Sequence, residues 1–156
     1  MKKQNIITWF LLFLIFSVSL KPQTNINEKE GSKLIIQGKT YSHIFCSYYN
    51  IEKGKTIFAV FYDDGRKKYI KSSFADITVK TENIKIGEYK AELRVFGDAK
   101  SPNVKPISVI NGSLKVINID EINCNRCITA IYTGNNAKGD KIYLKIDIDK
   151  DVSEGG

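Results

Sequence analysis

Hydrophobic and polar residues alternate one for one from Lys141 to Asp149: Ile142, Leu144, Ile146 and Ile148 fall on one side, Tyr143, Lys145, Asp147 and Asp149 on the other. A period of two predicts a strand with one buried and one wetted face. Glu88–Phe96 repeats the pattern, with Tyr89, Ala91, Leu93 and Val95 inward and Lys90, Glu92 and Arg94 outward. Thr56–Tyr62 differs, because Ile57, Ala59 and Phe61 share one face and Phe58, Val60 and Tyr62 the other. Apolar side chains on both faces predict a central strand covered on both sides. It runs into Asp63-Asp64-Gly65 and emerges as Lys67–Lys71, which predicts a hairpin. Asn111-Gly112 predicts a second hairpin, joining Pro106–Ile110 to Ser113–Ile119, with a bulge where the phase shifts between Val116 and Ile117.

Further strands are expected at Lys33–Gln37, Tyr41–Tyr49, Asp76–Lys80 and Cys127–Tyr132, and Gly97–Lys105 is the longest loop. No segment keeps a helical period for three turns, and short apolar runs recur between turn signals. This is the pattern of an all-β domain. The expected architecture is a single antiparallel β-sandwich of residues 33–151, with a small β-barrel as the alternative.

Within this frame Gly87-Glu88-Tyr89-Lys90-Ala91-Glu92-Leu93 resembles the Gly-x-Tyr opening of a late strand in immunoglobulin-like sandwiches. The resemblance covers about nine residues. It implies a tyrosine corner at Tyr89 and an immunoglobulin-like topology. The chain departs from the antibody-type pattern in placing Ala91 where those domains place a disulfide cysteine.

The N-terminus adds a targeting signal. Lys2 and Lys3 precede an uncharged apolar run from Ile6 to Leu20, and Ser17-Val18-Ser19 puts small residues at a cleavage site. Fifteen helical residues span roughly 22 Å, short of the roughly 30 Å hydrocarbon core. Residues 1–19 are therefore expected to be a signal peptide, an uncleaved anchor being the alternative. Residues 20–32 read as a flexible polar leader and 152–156 as a disordered tail. Cleavage after Ser19 removes two lysines and no acid, taking the net charge from +7 to +5. Export to the periplasm, cell surface or medium is expected, with no transmembrane domain after cleavage. Nucleic acid is not an expected partner, since no basic cluster has a reading geometry.

The chemistry-bearing residues are few. Cys46, Cys124 and Cys127 are the only cysteines, the last two spaced Cys-Asn-Arg-Cys. A structural disulfide can close the short 124–127 loop or run from Cys46 to either of the pair. By chain entropy the long bridge would stabilise by roughly 4 kcal/mol. A thiol redox pair at Cys124 and Cys127 is the second reading. Against it, Ile128-Thr129-Ala130-Ile131-Tyr132 reads as strand, without the helix N-terminus that activates such thiols. Zinc is the third: His43, Cys46, Cys124 and Cys127 are four ligands of suitable type, although His43 and Cys46, three apart on a strand, face opposite ways. Buried free thiols are the fourth. An odd cysteine also admits a disulfide-linked homodimer.

One histidine leaves no nucleophile, base and orienter to assemble, and no catalytic residue or cofactor is assigned. Asp147, Asp149 and Asp151 are spaced like the start of a calcium loop. Val152 stands where the loop needs Gly, so the reading is a charged strand edge. Asn111-Gly112-Ser113 also fits a glycan acceptor, but is read as a turn.

Aromatic residues cluster instead: nine of the 13 beyond residue 19 lie between Tyr41 and Phe74. Alternation sends some outward, and Tyr48, Tyr49, Tyr62, Lys67, Lys68, Tyr69 and Lys71 form the candidate binding surface for a glycan, peptide or lipid headgroup. The expected function is a non-enzymatic exported binding or envelope-associated accessory domain. The alternatives are a barrel carrying a small apolar ligand and a thiol redox or zinc protein.

Overall fold

The computed structural model describes residues 31–63, 73–98, 105–122 and 127–149. All its regular elements are strands: β1 (Leu34–Ile36), β2 (Lys39–Tyr41), β3 (His43–Glu52), β4 (Lys55–Asp63), β5 (Ser73–Val79), β6 (Gly87–Asp98), β7 (Ser108–Asp120), β8 (Cys127–Asn135) and β9 (Lys141–Ile148). Strands β3 to β9 form one antiparallel sheet in consecutive order, and β1–β2 form a separate hairpin. The large sheet curls until its edge strands β3 and β9 approach each other. At the upper end, where β4 leads to β5, β6 to β7 and β8 to β9, the small hairpin sits beside β9. Lys33 N–H donates to Tyr143 O at 2.6 Å, and Tyr143 N–H donates to Lys33 O at 2.9 Å. Gln37 and Gly38, with φ of 50° and 81°, make the two-residue turn of this hairpin, the conformation that suits the twist of paired strands.

The inward residues of all strands except β2 make one core, which includes Leu34, Phe58, Tyr62, Ile77, Leu93, Leu114, Tyr132 and Leu144. The alternation predicted for β6 and β9 is present except at Tyr143, expected on the wetted face of β9 but buried, and the register shift between Val116 and Asn118 is present as well. Tyr89 builds its corner: its hydroxyl accepts from Lys85 N–H and donates to Lys85 O, both at 2.9 Å. The wider topology is not that of an immunoglobulin domain, because consecutive strands pair throughout instead of crossing in a Greek key. A tyrosine corner is local chemistry, and a meander accommodates it equally well.

Several expected boundaries move. Asn111-Gly112 is no turn but lies within the continuous strand β7. Gly112 pairs with Gly134 of β8, and the Tyr132 ring occupies the space that side chains at either position would need. A Cβ at Gly112 would collide with Thr133 O and lie 2.8 Å from Tyr132 Oη. Tyr132 is fully buried, and its hydroxyl donates to Ile110 O at 2.7 Å. Gly112 thus serves close approach within a strand and not chain reversal. The expected Tyr41–Tyr49 strand divides at Ser42 into β2 and β3. Strand β4 pairs with Ser73–Val79, while the expected strand Lys67–Lys71 and the Asp64-Gly65 turn lie outside the described residues, as do the signal segment and most of the leader and tail. Among the described residues no helix is long and apolar enough to cross a membrane.

Candidate functional site

The outer face of β3–β6 carries a row of phenylalanines near the upper end. Strand registers place Phe45 opposite Phe61 and Phe61 opposite Phe74. A bulge on β6 sets Gly97 opposite Phe74 and turns Phe96 into the row. Ring centroids lie 5.1 Å apart for Phe45–Phe61, 5.6 Å for Phe61–Phe74 and 5.7 Å for Phe74–Phe96. These stacked and edge-on geometries are the favourable ones for aromatic pairs. Phe45 is 50% exposed, and Ile107 and Val109 continue the apolar surface at 52% and 49%. Contiguous apolar surface of this kind is how a sheet presents a binding face.

The row is anchored by a charge pair. Asp76 and Arg94 are cross-strand partners. Arg94 donates through Nε to Asp76 Oδ1 at 2.8 Å and through an Nη to Oδ2 at 2.7 Å. Asp76 is buried, and the bidentate geometry is what makes an ionised carboxylate tolerable there. The hydrogen bond to Asp76 raises the Arg94 pKa above its already high ordinary value. The guanidinium also lies 5.6 Å from the centre of the Phe96 ring, a cation–π contact that joins the pair to the row.

The expected binding residues divide. Tyr48 is exposed beside the β3 bulge. Tyr49 and Tyr62 are corrected to core residues: Tyr49 packs on Phe58 at 5.3 Å and Tyr62 on Tyr41 at 4.9 Å. The bulge between Cys46 and Tyr49 turns Tyr49 inward, and parity with Phe58 and Val60 does the same for Tyr62. Lys67, Lys68, Tyr69 and Lys71 lie outside the described residues. The Phe45–Phe96 row was missed because its signal is distributed. Each phenylalanine sits on a different strand, and only the pairing brings the four together.

The cysteine readings separate as well. Cys46 is a free thiol facing the core, and burial pushes its pKa up to about 12. No long bridge starts from it. His43 is exposed on the opposite face, so the proposed zinc set does not converge. Among the described residues no group of three or more His, Cys, Asp or Glu is arranged to hold a metal. Cys127 opens strand β8 at the lower end and is buried. Cys124 lies outside the described residues.

A different surface covers the outer face of β7–β9. A cleft of about 580 Å³ is lined by Asn111, Gly112, Ser113, Thr133, Gly134, Asn135 and Lys141. Ser113 Oγ and Thr133 Oγ1 are 3.3 Å apart. The β8–β9 turn beside it is pinned by Asn136, whose Oδ1 accepts from Lys138 N–H and Asp140 N–H and whose Nδ2 donates to Asp140 Oδ2.

No family, curated protein or solved structure matches the chain.

Proposed function

We propose that the protein is an exported, non-enzymatic binding or envelope-associated accessory domain that recognises its partner through the outer face of β3–β6. The observation that carries this reading is the Phe45–Phe61–Phe74–Phe96 row, which spends four large apolar side chains on the convex side of the sheet. The core does not require them, since the inward residues already form one contiguous cluster. Apolar surface outside the core costs solubility, and a recognition role accounts for that expense. A small-barrel form of the domain is favoured over a two-layer sandwich, because seven consecutive strands belong to one sheet whose edges approach.

The carrier alternative is disfavoured by the bulk of the inward side chains, Phe58, Tyr62 and Tyr132 among them. A thioredoxin-like redox site is disfavoured because Cys127 begins a strand instead of a helix. Buried Cys46 also argues against a homodimer joined through that thiol. A short Cys124–Cys127 bridge is the cysteine arrangement we favour. The denatured, unreduced chain should then take one alkyl group, at Cys46, and uptake of three would exclude the bridge.

The functional test is cosedimentation of the full chain with envelope particles of its producing cell. Phe45→Ser combined with Phe74→Ser should abolish association while circular dichroism stays that of a β protein. Unchanged association of the folded variant would sink the aromatic face as the recognition surface.

A further inference from the structure

The three most exposed large apolar side chains among the described residues stand at the lower end of the domain, where β3 leads to β4, β5 to β6 and β7 to β8. Ile51 lies at the end of β3, Ile86 immediately before β6 and Ile122 in the turn after β7, at 56%, 65% and 94% exposure. Ile51 stands opposite buried Thr56, so it has the parity of a core residue and is bare because it sits at the rim. Ile84, on the β5–β6 connection, and Ile119, near the end of β7, are partly buried against the core. Successive turns at this end are two strand spacings, roughly 10 Å, apart.

The tips are held in place. Gly54 N–H donates to a Glu82 carboxylate oxygen, and Thr56 Oγ1 donates to Thr81 O at 2.7 Å, which ties the first turn to the second. The Tyr89 hydroxyl clamps both backbone groups of Lys85, the neighbour of Ile86. In the third turn Ile122 N–H donates to Asp120 Oδ1 at 3.1 Å. The exposure of these isoleucines is therefore fixed by the backbone that carries them. Residues 52–55, 80–86 and 120–122 together hold four lysines and four acids, so these turns have no net charge with which to attract an ionic ligand.

We propose that this end docks on a lipid bilayer, with Ile51, Ile86 and Ile122 inserted at the boundary of headgroups and acyl chains. Aliphatic tips separated by charged residues suit a fluid phase, which closes around each of them. A rigid protein partner would need three matching hollows, whereas protein interfaces gather their apolar residues into one central patch. The path of the chain fits the same orientation. From Lys33, paired with Tyr143, back through Ser32, whose Oγ accepts from Lys145 N–H at 2.9 Å, it runs antiparallel to β9 and toward the lower end. Ahead of it in the sequence stands the uncharged run Ile6–Leu20, read as a signal or an anchor, so the membrane-directed segment joins the domain from this side. The assignment goes beyond recognition by the aromatic face and uses none of its residues.

Tryptophan quenching in the chain as the cell exports it tests the proposal. Trp9 is the only tryptophan, so in a Trp9→Phe background a reporter placed by Ile122→Trp, or by Lys138→Trp in the β8–β9 turn at the opposite end, senses its own surroundings. Vesicles of phosphatidylcholine brominated on the acyl chains should quench the Ile122→Trp reporter at least about twofold and leave the Lys138→Trp reporter unquenched. Raising the salt should change this little, because the turns carry no net charge. Adding Ile51→Asp and Ile86→Asp should remove most of the quenching, Ile51→Leu with Ile86→Leu should preserve it, and circular dichroism should stay that of a β protein in both. The proposal is overturned if the Ile122→Trp reporter is not quenched, or if both ends are quenched alike. Quenching that requires anionic lipid and disappears in salt would mean adsorption through the net positive charge, and also overturns it. So does a blue shift of the reporter that grows with protein concentration and needs no vesicle, which would make this end a contact between copies. Phe45→Ser with Phe74→Ser should leave the quenching intact, so failure of the aromatic face and failure of this end are separable.

Discussion

The outer faces of β3–β6 and β7–β9 belong to one continuous sheet and cover one continuous core, yet their chemistry differs. On β3–β6 the outward residues interact with one another: four phenylalanines in a row, with the Asp76–Arg94 pair closing onto Phe96. On β7–β9 the outward residues are mixed: Lys115 stands opposite Glu88 of β6, Lys145 two residues from Asp147, buried Ile131 and Tyr143 lie between the lysines, and Lys141 lines a shallow cleft with Ser113 and Thr133. Inward positions are constrained by packing and look alike in both halves. Outward positions are less constrained, although Asp76 in the first half and Ile131 and Tyr143 in the second are buried as well. A face whose side chains bind each other contributes to stability, whereas exposed lysines without ion pairs can change with little effect on folding.

The largest expected effect falls on the first face. Arg94→Ala would strand the buried Asp76 carboxylate without its bidentate partner. Urea unfolding should show a loss of roughly 3 kcal/mol. Adding Asp76→Ala should recover part of that loss, because the isolated charge is what costs. If the single and double variants unfold alike, the pair is not the anchor of this face. Next comes a tight point on the inner side of β7 and β8. Gly112→Ala should destabilise by about 1–3 kcal/mol through collision with Thr133 O and the Tyr132 ring. Parent-like stability would mean that Tyr132 can move aside and that the glycine pair is not a packing requirement.

The same contrast shows how much could be read before any coordinates. Period-two alternation revealed which residues of β6 and β9 face inward, because each strand carries that signal within itself. Tyr89 was likewise legible, since its corner closes on Lys85 only four residues away. The turn at Lys53-Gly54, where Glu52 and Lys55 pair across the hairpin, is marked in the sequence only by the glycine between two apolar runs. Asn111-Gly112 misled because the same dipeptide suits a tight turn and a close strand contact, and only the fully buried Tyr132, some twenty residues on, decides between them. Both candidate surfaces were illegible for a related reason. The phenylalanine row needs four strands in register and the isoleucine tips need three turns brought to one end, and pairing between strands is not encoded in the alternation of any one of them.

A smaller effect tests whether the phenylalanines act as a row. Phe61 and Phe74 are cross-strand partners with centroids 5.6 Å apart, and both are only partly buried. A double-mutant cycle with Phe61→Ala and Phe74→Ala should give a coupling of about 0.5–1.5 kcal/mol in their favour. Additivity would mean that the four rings are neighbours without interaction, and the contrast between the two faces would weaken. The smallest expected effect belongs to the lysines. Lys115→Gln, Lys141→Gln and Lys145→Gln together should shift unfolding by no more than about 0.5 kcal/mol, because exposed side chains without partners contribute little to the folded state. A loss above about 1 kcal/mol would show that these lysines are held by the protein itself, and the second face would then be structural like the first.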